Sequence, residues 1–380
     1  MARMAKKTVF VGMSGGVDSS VAAYLLKKQG YNVVGVFMRC YNIDGCAERD
    51  AEDARRVAGH LGIPFYTWDF EEEYKRQVVD YMIEGYRKGL TPNPDVMCNR
   101  EVKFGLFFKK ALSLGADYVA TGHYVKLAVG SRAVGSKQDK ILQTANCKLF
   151  TARDAQKDQS YFLWTLTQKQ LAHCLFPVGD LLKSEVREIA REAGISTAGK
   201  KDSQGICFLG QVSIAEFLGG YLPSKPGAVL TSKGEKIGTH AGAHFYTIGQ
   251  REGIFVGGAR KQTRGEDAQP LYVSTKDVHN NTLIVAERND AALTKKEVVL
   301  TDVNWLSGDK RQATSDKGIS VMARVRYRQP LVPATLYVLP STSYVLHFDA
   351  PVQFVAEGQS AVWYSEEGKM LGGGVIKESK

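Results

Sequence analysis

Val9-Phe10-Val11-Gly12-Met13-Ser14-Gly15-Gly16-Val17-Asp18-Ser19-Ser20 is the stretch that decides how this chain folds. A short apolar run, Val9 to Met13, enters a turn bent by two adjacent glycines. An amphipathic run from Val21 to Gln29 leaves the turn and stops at Gly30. The order is strand, tight turn, helix. Paired glycines let the backbone approach a ligand and aim successive N–H groups at it. The helix N-terminus behind them carries about half a positive charge, so the turn is an anion site. Ser14, Ser19 and Ser20 add hydroxyls suited to phosphate oxygens. No Gly-Lys-Ser/Thr ending follows, so the loop is not a Walker A motif and γ-phosphate transfer is not the expected chemistry.

The same alternation continues outward from the loop. Strands are expected over 32–38, 64–68 and 117–120, and helices over about 47–61, 71–88 and 99–114. Strands separated by helical runs imply an α/β fold, a doubly wound parallel sheet of Rossmann-like type with ligands at the strand C-termini. The loop, Met38 and Thr121-Gly122-His123 all fall at such ends. Residues 125–149 loosen into a hairpin insertion, and helical runs return at 168–175 and 183–193. Beyond Cys207 the pattern changes to short alternating runs: 228–230, 243–248, 271–273 and 283–286. A third block from about 298 adds 321–327, 334–339, 344–348 and 361–364. Both tail regions read as small antiparallel β-barrel domains. The expected division is 1–212, with a helical part at about 155–212, then 213–290 and 291–380.

Composition narrows the class. A chain of 380 residues holds two or three domains, and 44% hydrophobic with 24% charged residues is ordinary for a globular protein. No apolar run approaches the roughly 20 residues that cross a bilayer. The basic start, Met1 to Lys7, meets only a short apolar run that feeds the phosphate loop, so no membrane association and a cytoplasmic location are expected. The net charge of +10 is spread along the chain and suits a polyanionic partner. Six cysteines, at 40, 46, 98, 147, 174 and 207, include no C-x-x-C pair and no zinc-finger spacing. Cys40 and Cys46 lack a second pair, and His240 and His244 read as ordinary polar residues, so no protein-held metal is expected.

Two thiols stand in settings that favour chemistry. Cys98 lies in Thr91-Pro92-Asn93-Pro94-Asp95-Val96-Met97-Cys98-Asn99-Arg100. Asp95 is placed to cap a helix, and Cys98 then falls in its first turn, where the dipole and Arg100 favour thiolate. Cys207 lies in Lys200-Lys201-Asp202-Ser203-Gln204-Gly205-Ile206-Cys207-Phe208, electropositive and flexible, as reactive cysteines require. Residue by residue, a bare helix cap, a buried small hydrophobe and a structural cysteine explain the same positions. Arg324, Arg326 and Arg328 alternate in the expected 321–327 strand, with Val325 and Tyr327 opposite. Three arginines on one face without an interleaved acid favour a phosphate track over a merely solvated face.

The S-G-G-x-D-S spacing, in its strand–helix context, resembles the PP-loop ATP pyrophosphatases, which implies cleavage between the α- and β-phosphates. The chain as a whole resembles the bacterial tRNA-specific 2-thiouridylase (MnmA) family. The resemblance runs through Gly12–Ser19, Thr91–Asp95, Cys98–Phe104, Ala120–Tyr124, Lys157–Phe162, Phe176–Gly179, Lys201–Phe208, Tyr246–Arg251, Arg326–Gln329 and Gly358–Val362. It implies that ATP, with Mg2+, is held by Gly12, Met13, Ser14, Gly15, Gly16, Val17, Asp18 and Ser19, with Met38 and Gly122 lining the pocket. ATP would adenylate O2 of the wobble uridine, position 34, of a tRNA. Cys207, carrying a persulfide from a cysteine desulfurase or sulfur-relay protein, would attack C2. Cys98 would then attack the Cys207 sulfur, releasing sulfide or leaving a Cys98–Cys207 disulfide. Asp95 would be the general acid/base.

By the same resemblance the target base leaves its stack and meets Asn93, Pro94 and Asp95. His123, Lys157, Asp158, Gln159, Arg326, Tyr327 and Gln359 would contact tRNA of the Lys, Glu and Gln types, with the protein a monomer. The chain departs from the family at Glu357, where Pro is common, over Arg251–Gly258, and in the insertion 130–148. Its rivals are a small-molecule adenylating synthetase, a non-catalytic RNA binder, and a thiolase making 4-thiouridine or 2-thiocytidine. The two thiols oppose the first, and the intact loop the second. No iron–sulfur C-x-x-C supports the third.

Overall fold

The quoted stretch forms strand β1 (Thr8–Gly12) and helix α1 (Val17–Lys28) in a computed structural model. The structure describes residues 6–41, 45–130, 146–202, 212–256, 269–306, 317–339 and 343–380. Strands β2 (Asn32–Arg39), β3 (Phe65–Asp69) and β4 (Tyr118–Ala120) follow. After the hairpin β5 (Lys126–Gly130) and β6 (Asn146–Phe150) comes β7 (Cys174–Leu175). The parallel sheet has the order β3-β2-β1-β4-β7. Its two faces alternate along each strand. Val9, Val11, Val33 and Phe37 pack on the side of α1 and of helices Cys46–His60 and Lys183–Glu192, whereas Phe10, Val34 and Val36 pack with Trp68 and Phe107 on the other. Strand order reverses at β1, with β2 and β3 on one side and β4 and β7 on the other. A crevice therefore opens at the C-terminal ends of β1 and β4, directly over the Gly-Gly turn.

Two long helical runs change winding midway. One joins Glu71–Tyr74, π-helical Lys75–Val79 and Asp80–Arg87; the other joins Pro94–Met97, π-helical Cys98–Phe107 and Phe108–Ser113. The second run starts earlier than expected because Pro94 pre-sets the helical φ at its first position and Asn93 caps it. Asn93 Oδ1 accepts from Val96 N at 3.1 Å, so the cap is Asn93 and not Asp95, and Cys98 lies one turn further in. Among the described residues no helix is long and apolar enough to cross a membrane.

The middle sheet comprises β8 (Gly227–Thr231), β9 (Lys236–His240), β10 (Phe255–Val256), β11 (Leu271–Asp277) and β12 (Thr282–Glu287), in the order β10-β9-β8-β12-β11. Its described strands form an open sheet where an antiparallel barrel was expected, and one pair departs from the antiparallel pattern, because β12 runs parallel to β8. The expected strand at 243–248 is instead a 3-10 turn, Ala243–Phe245. Gly242, at φ +150°, swings the chain out, and Asn281 Oδ1 captures the Ala243 N–H at 2.9 Å.

Strands β13 (Thr294–Trp305), β14 (Ile319–Arg324), β15 (Val332–Val338), β16 (Tyr344–Gln353), β17 (Ser360–Tyr364) and β18 (Met370–Ser379) close an antiparallel barrel, which leaves no free edge. Strand β14 stops at Arg324, so the three arginines do not share one strand face. Arg324 turns inward instead, donating to Asp158 Oδ2 at 2.6 Å, Tyr364 OH at 2.8 Å and Ser160 Oγ at 3.0 Å. The chain then bends, and Arg328 adopts φ +65°.

This pair is 6% and 4% exposed and joins the barrel to the first domain. Breaking a buried ion pair by removing one partner costs about 3–5 kcal/mol. Arg324→Ala is therefore expected to lower the denaturant midpoint of unfolding sharply, whereas Lys380→Ala, at an exposed pair, leaves it within error.

Candidate active site

The turn after β1 is built for an anion. Gly15 takes φ +72°, and a Cβ there would lie 2.3 Å from the Asp50 carbonyl oxygen. Gly16 caps α1 from an extended backbone, with no side chain closing the helix end, so leading N–H groups face the crevice. Ser19 Oγ accepts from Ser14 N at 3.1 Å, and the Ser14 and Ser19 hydroxyls lie 3.2 Å apart. Ser20 turns its hydroxyl back to Gly16 O at 2.8 Å. On the opposite wall, a Cβ at Gly122 would lie 2.6 Å from Ser19 N, so only glycine lets β4 approach this closely. Gly12 and Met38 abut in the same way, with 3.0 Å between the added Cβ and Met38 Cε. The cavity that results has a volume of about 310 Å3 and extends from Gly12 and Asp18, past Lys103 and His123, to Tyr327 and Arg328 of the barrel. This turn and cavity suit a nucleoside triphosphate.

Ion pairs tie the turn to the rest of the domain. Asp18 accepts from Lys183 Nζ at 2.7 and 2.8 Å and from Tyr124 OH at 2.7 Å. Lys200 Nζ meets Asp50 at 2.7 Å, Asp53 at 2.6 Å and the Gly15 carbonyl at 3.1 Å. Asp202 collects Lys157, Lys183 and Arg187. Burial pushes the Asp202 carboxyl up, but hydrogen bonds from Lys157 and Lys183 outweigh it and hold the group at about 2. Among the described residues no cluster of three metal-ligating side chains occurs. The carboxylates of Asp18, Asp50 and Asp202 line the cavity.

The segment carrying Asp95 and Cys98, neither of which lines the cavity, is braced from two other domains. Lys276 of the middle sheet donates to Leu90 O at 3.2 Å and Tyr246 O at 2.9 Å, and burial lowers its ammonium to about 8. Thr91 N donates to Glu357 O at 2.7 Å, and Gln359 Nε2 to Thr91 O and Pro92 O at 3.0 and 3.2 Å. Asn93 and Gln359, both expected at the RNA, thus bond each other here, at 3.3 Å. Pro94 is buried, Asp95 half-buried and Cys98 a buried free thiol. Burial pushes the Asp95 carboxyl up to about 6 against the pull of Lys103. Burial, and then the Lys103 charge, hold the His123 imidazole well below its ordinary value.

The remaining expected contacts divide. Lys157, Gln159, His123 and Tyr327 line the cavity. Asp158 is buried in its pair with Arg324, and Arg326 donates to the Ile248 carbonyl. Tyr327 packs on Phe162 with ring centroids 4.5 Å apart, and the Arg328 guanidinium stands 5.2 Å over the Tyr327 ring. Cys207 lies outside the described residues, which stop at Asp202 on that side. Sequence reasoning passed over Lys103, Lys183, Arg187 and Lys276. Lys103 stood inside the Cys98–Phe104 block, and Lys183 and Arg187 share one helix face by their i,i+4 spacing; nothing local marked Lys276.

A phosphate-binding turn at the switch point of a parallel sheet, with two β domains behind it, defines a HUP-type nucleotide-binding protein. The family model described as tRNA methyl transferase HUP domain matches residues 7–211. Those for a tRNA methyl transferase PRC-barrel domain and an aminomethyltransferase beta-barrel domain match 215–287 and 295–376. The tRNA-specific 2-thiouridylase MnmA 1 of Geobacillus kaustophilus is 44% identical, over 99% of this chain and 96% of that one. Its counterpart MnmA in Klebsiella pneumoniae is 45% identical over 98% and 97%, and that of Flavobacterium johnsoniae 43% over 97% and 100%. The chain belongs to the tRNA-specific 2-thiouridylase (MnmA) family.

Two outcomes follow. Gly122→Ala forces backbone apart at Ser19 and is expected to weaken nucleoside triphosphate binding at least ~10-fold, about 1.4 kcal/mol, by calorimetry. Asp202 has a folded value depressed from 3.8 to about 2. Its contribution, on the order of 2 kcal/mol, is present above pH ~4 and lost as pH falls from ~4 to ~2. Thermal unfolding followed across that window is expected to show this loss in the native chain and less of it in Asp202→Asn.

Proposed function

We propose that the chain catalyses ATP-dependent 2-thiolation of the wobble uridine of tRNA, yielding 2-thiouridine, AMP and pyrophosphate. The observation that carries this reading is the single cavity. It joins the phosphate turn to Lys103 and His123 and to the barrel residues Tyr327 and Arg328. Nucleotide and flipped base can therefore meet in one space.

The uracil carbonyl oxygen is a poor leaving group, so it is activated first. Ionised Asp95 takes the uracil N3 proton, and O2 attacks the α-phosphorus as pyrophosphate departs. The α1 N-terminus and the cavity lysines take up the charge that develops. The terminal sulfur of a Cys207 persulfide, supplied by a cysteine desulfurase or relay protein, then attacks C2 and AMP leaves with the C2–O2 bond. Cys98 thiolate attacks the Cys207 sulfur. The Cys98–Cys207 disulfide forms, the S–S bond to the base breaks, and the sulfur stays on C2 as the thiocarbonyl. A cellular thiol reduces the disulfide for the next round. Lys157, Gln159 and Tyr327 line the way in for the anticodon. The family models named for methyl transfer point elsewhere, but the relatives that align over the whole chain are named for thiolation.

Cys207→Ser is expected to abolish thiolation while AMP-forming activation of tRNA persists; normal thiolation by this variant would refute the persulfide role. Since the Asp95 carboxyl titrates at about 6, it is protonated below that pH and idle as a base. Activation measured by pyrophosphate release is expected to rise through pH ~6, and Asp95→Asn to remove that limb.

A further inference from the structure

Three cations converge on one carboxylate at the edge of the phosphate turn. Asp202 Oδ1 receives Lys183 Nζ at 2.9 Å and Arg187 Nη2 at 2.8 Å, and Oδ2 receives Lys157 Nζ at 2.6 Å. Among the described residues Asp18 is the other acid in an ion pair with this trio, through Lys183, and Asp154 Oδ2 accepts from the Lys183 backbone N–H at 3.0 Å. Two carboxylates therefore share the three cationic side chains in ion pairs.

Two of the three cations are held without Asp202. Arg187 Nη1 donates to Ala198 O at 2.9 Å and Nη2 to Lys200 O at 3.0 Å, while Lys183 is fixed on both oxygens of Asp18. The seat is thus preformed, and Asp202 fills it. Asp202, Asp18 and Lys157 all line the cavity that holds the uncapped start of α1. A pyrophosphate group carries more charge and more acceptor oxygens than one carboxylate, and guanidinium and ammonium donors suit it. The uncapped helix start and Lys157 share this cavity, and Lys183 and Arg187 stand directly against Asp202 in its lining.

We propose that Lys157, Lys183 and Arg187 form the seat for the β- and γ-phosphates of ATP, and for the pyrophosphate they become, and that Asp202 occupies this seat until they displace it. The ligand class rests on the ATP-dependent reading above. Asp202 then acts as a built-in competitor. It keeps the cations solvated by protein rather than by stray anions, and it sets pyrophosphate affinity low enough for release after activation.

The test is titration of the full chain with inorganic pyrophosphate, without tRNA, by calorimetry. Asp202→Asn keeps the side-chain shape but removes the competing charge, and is expected to bind pyrophosphate at least tenfold more tightly. Lys157→Gln, at a partly buried side chain, checked for folding by circular dichroism, is expected to bind it at least tenfold more weakly. Orthophosphate, run in parallel, is expected to gain much less from Asp202→Asn. Unchanged or weaker pyrophosphate binding by a folded Asp202→Asn would overturn the proposal. So would unchanged binding by Lys157→Gln, or an equal gain for orthophosphate, which would reduce the effect to net charge. No RNA enters this titration, so a failure of thiolation by the native chain would sink the functional reading and leave these affinities as they stand.

Discussion

The buried pair of Arg324 and Asp158 is the contact on which the working shape depends. Asp158 also receives the backbone N–H groups of Ala152 and Ser160, each at 3.1 Å. One carboxylate therefore folds the 157–159 loop and docks the barrel onto it. With Asp158 turned inward, Lys157 reaches Asp202 at 2.6 Å and Gln159 Oε1 accepts from Tyr124 N at 3.0 Å. The barrel in turn places Tyr327 and Arg328 at the far end of the cavity. A charged pair this deep is a costly way to bind two surfaces. Here it fixes which side chains of the loop face the site and which do not.

Burial sorts the site into two electrostatic halves. Around the turn, lysines and carboxylates alternate at hydrogen-bond distance, a polar surface that matches phosphates and a metal carried with them. At His123 in the cavity, and at Asp95 outside its lining, desolvation favours the neutral forms. Lys103 stands between the halves and lowers both the Asp95 and His123 values.

The first domain was legible because its signals are local. Alternating apolar residues, helical periodicity and a Gly-Gly turn each act within a few residues, and together they gave β1, α1 and the parallel order. The barrel at the C-terminus followed from short runs and turns. The parallel β8–β12 pair left no such trace, because register between distant strands is a tertiary outcome. Arg324 misled for a related reason. Its spacing with Arg326 and Arg328 is that of an exposed strand face, but its partner lies 166 positions away. Lys183 and Asp18, separated by 165 positions, were equally silent. Asp95 looked like a cap because two prolines stiffen the approach to it; Asn93, one residue before Pro94, had the better geometry. Asn93 and Gln359, expected as RNA contacts, bond each other and join the barrel to the segment carrying Asp95 and Cys98.

The central claim is that ATP activation and thiol chemistry in this chain converge on one base. The direct measurement is mass spectrometry of nucleosides digested from tRNA incubated with the protein, ATP and a persulfide donor. The expected product is 2-thiouridine at the wobble position, formed only with ATP and matched by an equal yield of AMP. AMP formation that ignores tRNA, or sulfur found on any other nucleoside instead, would contradict it.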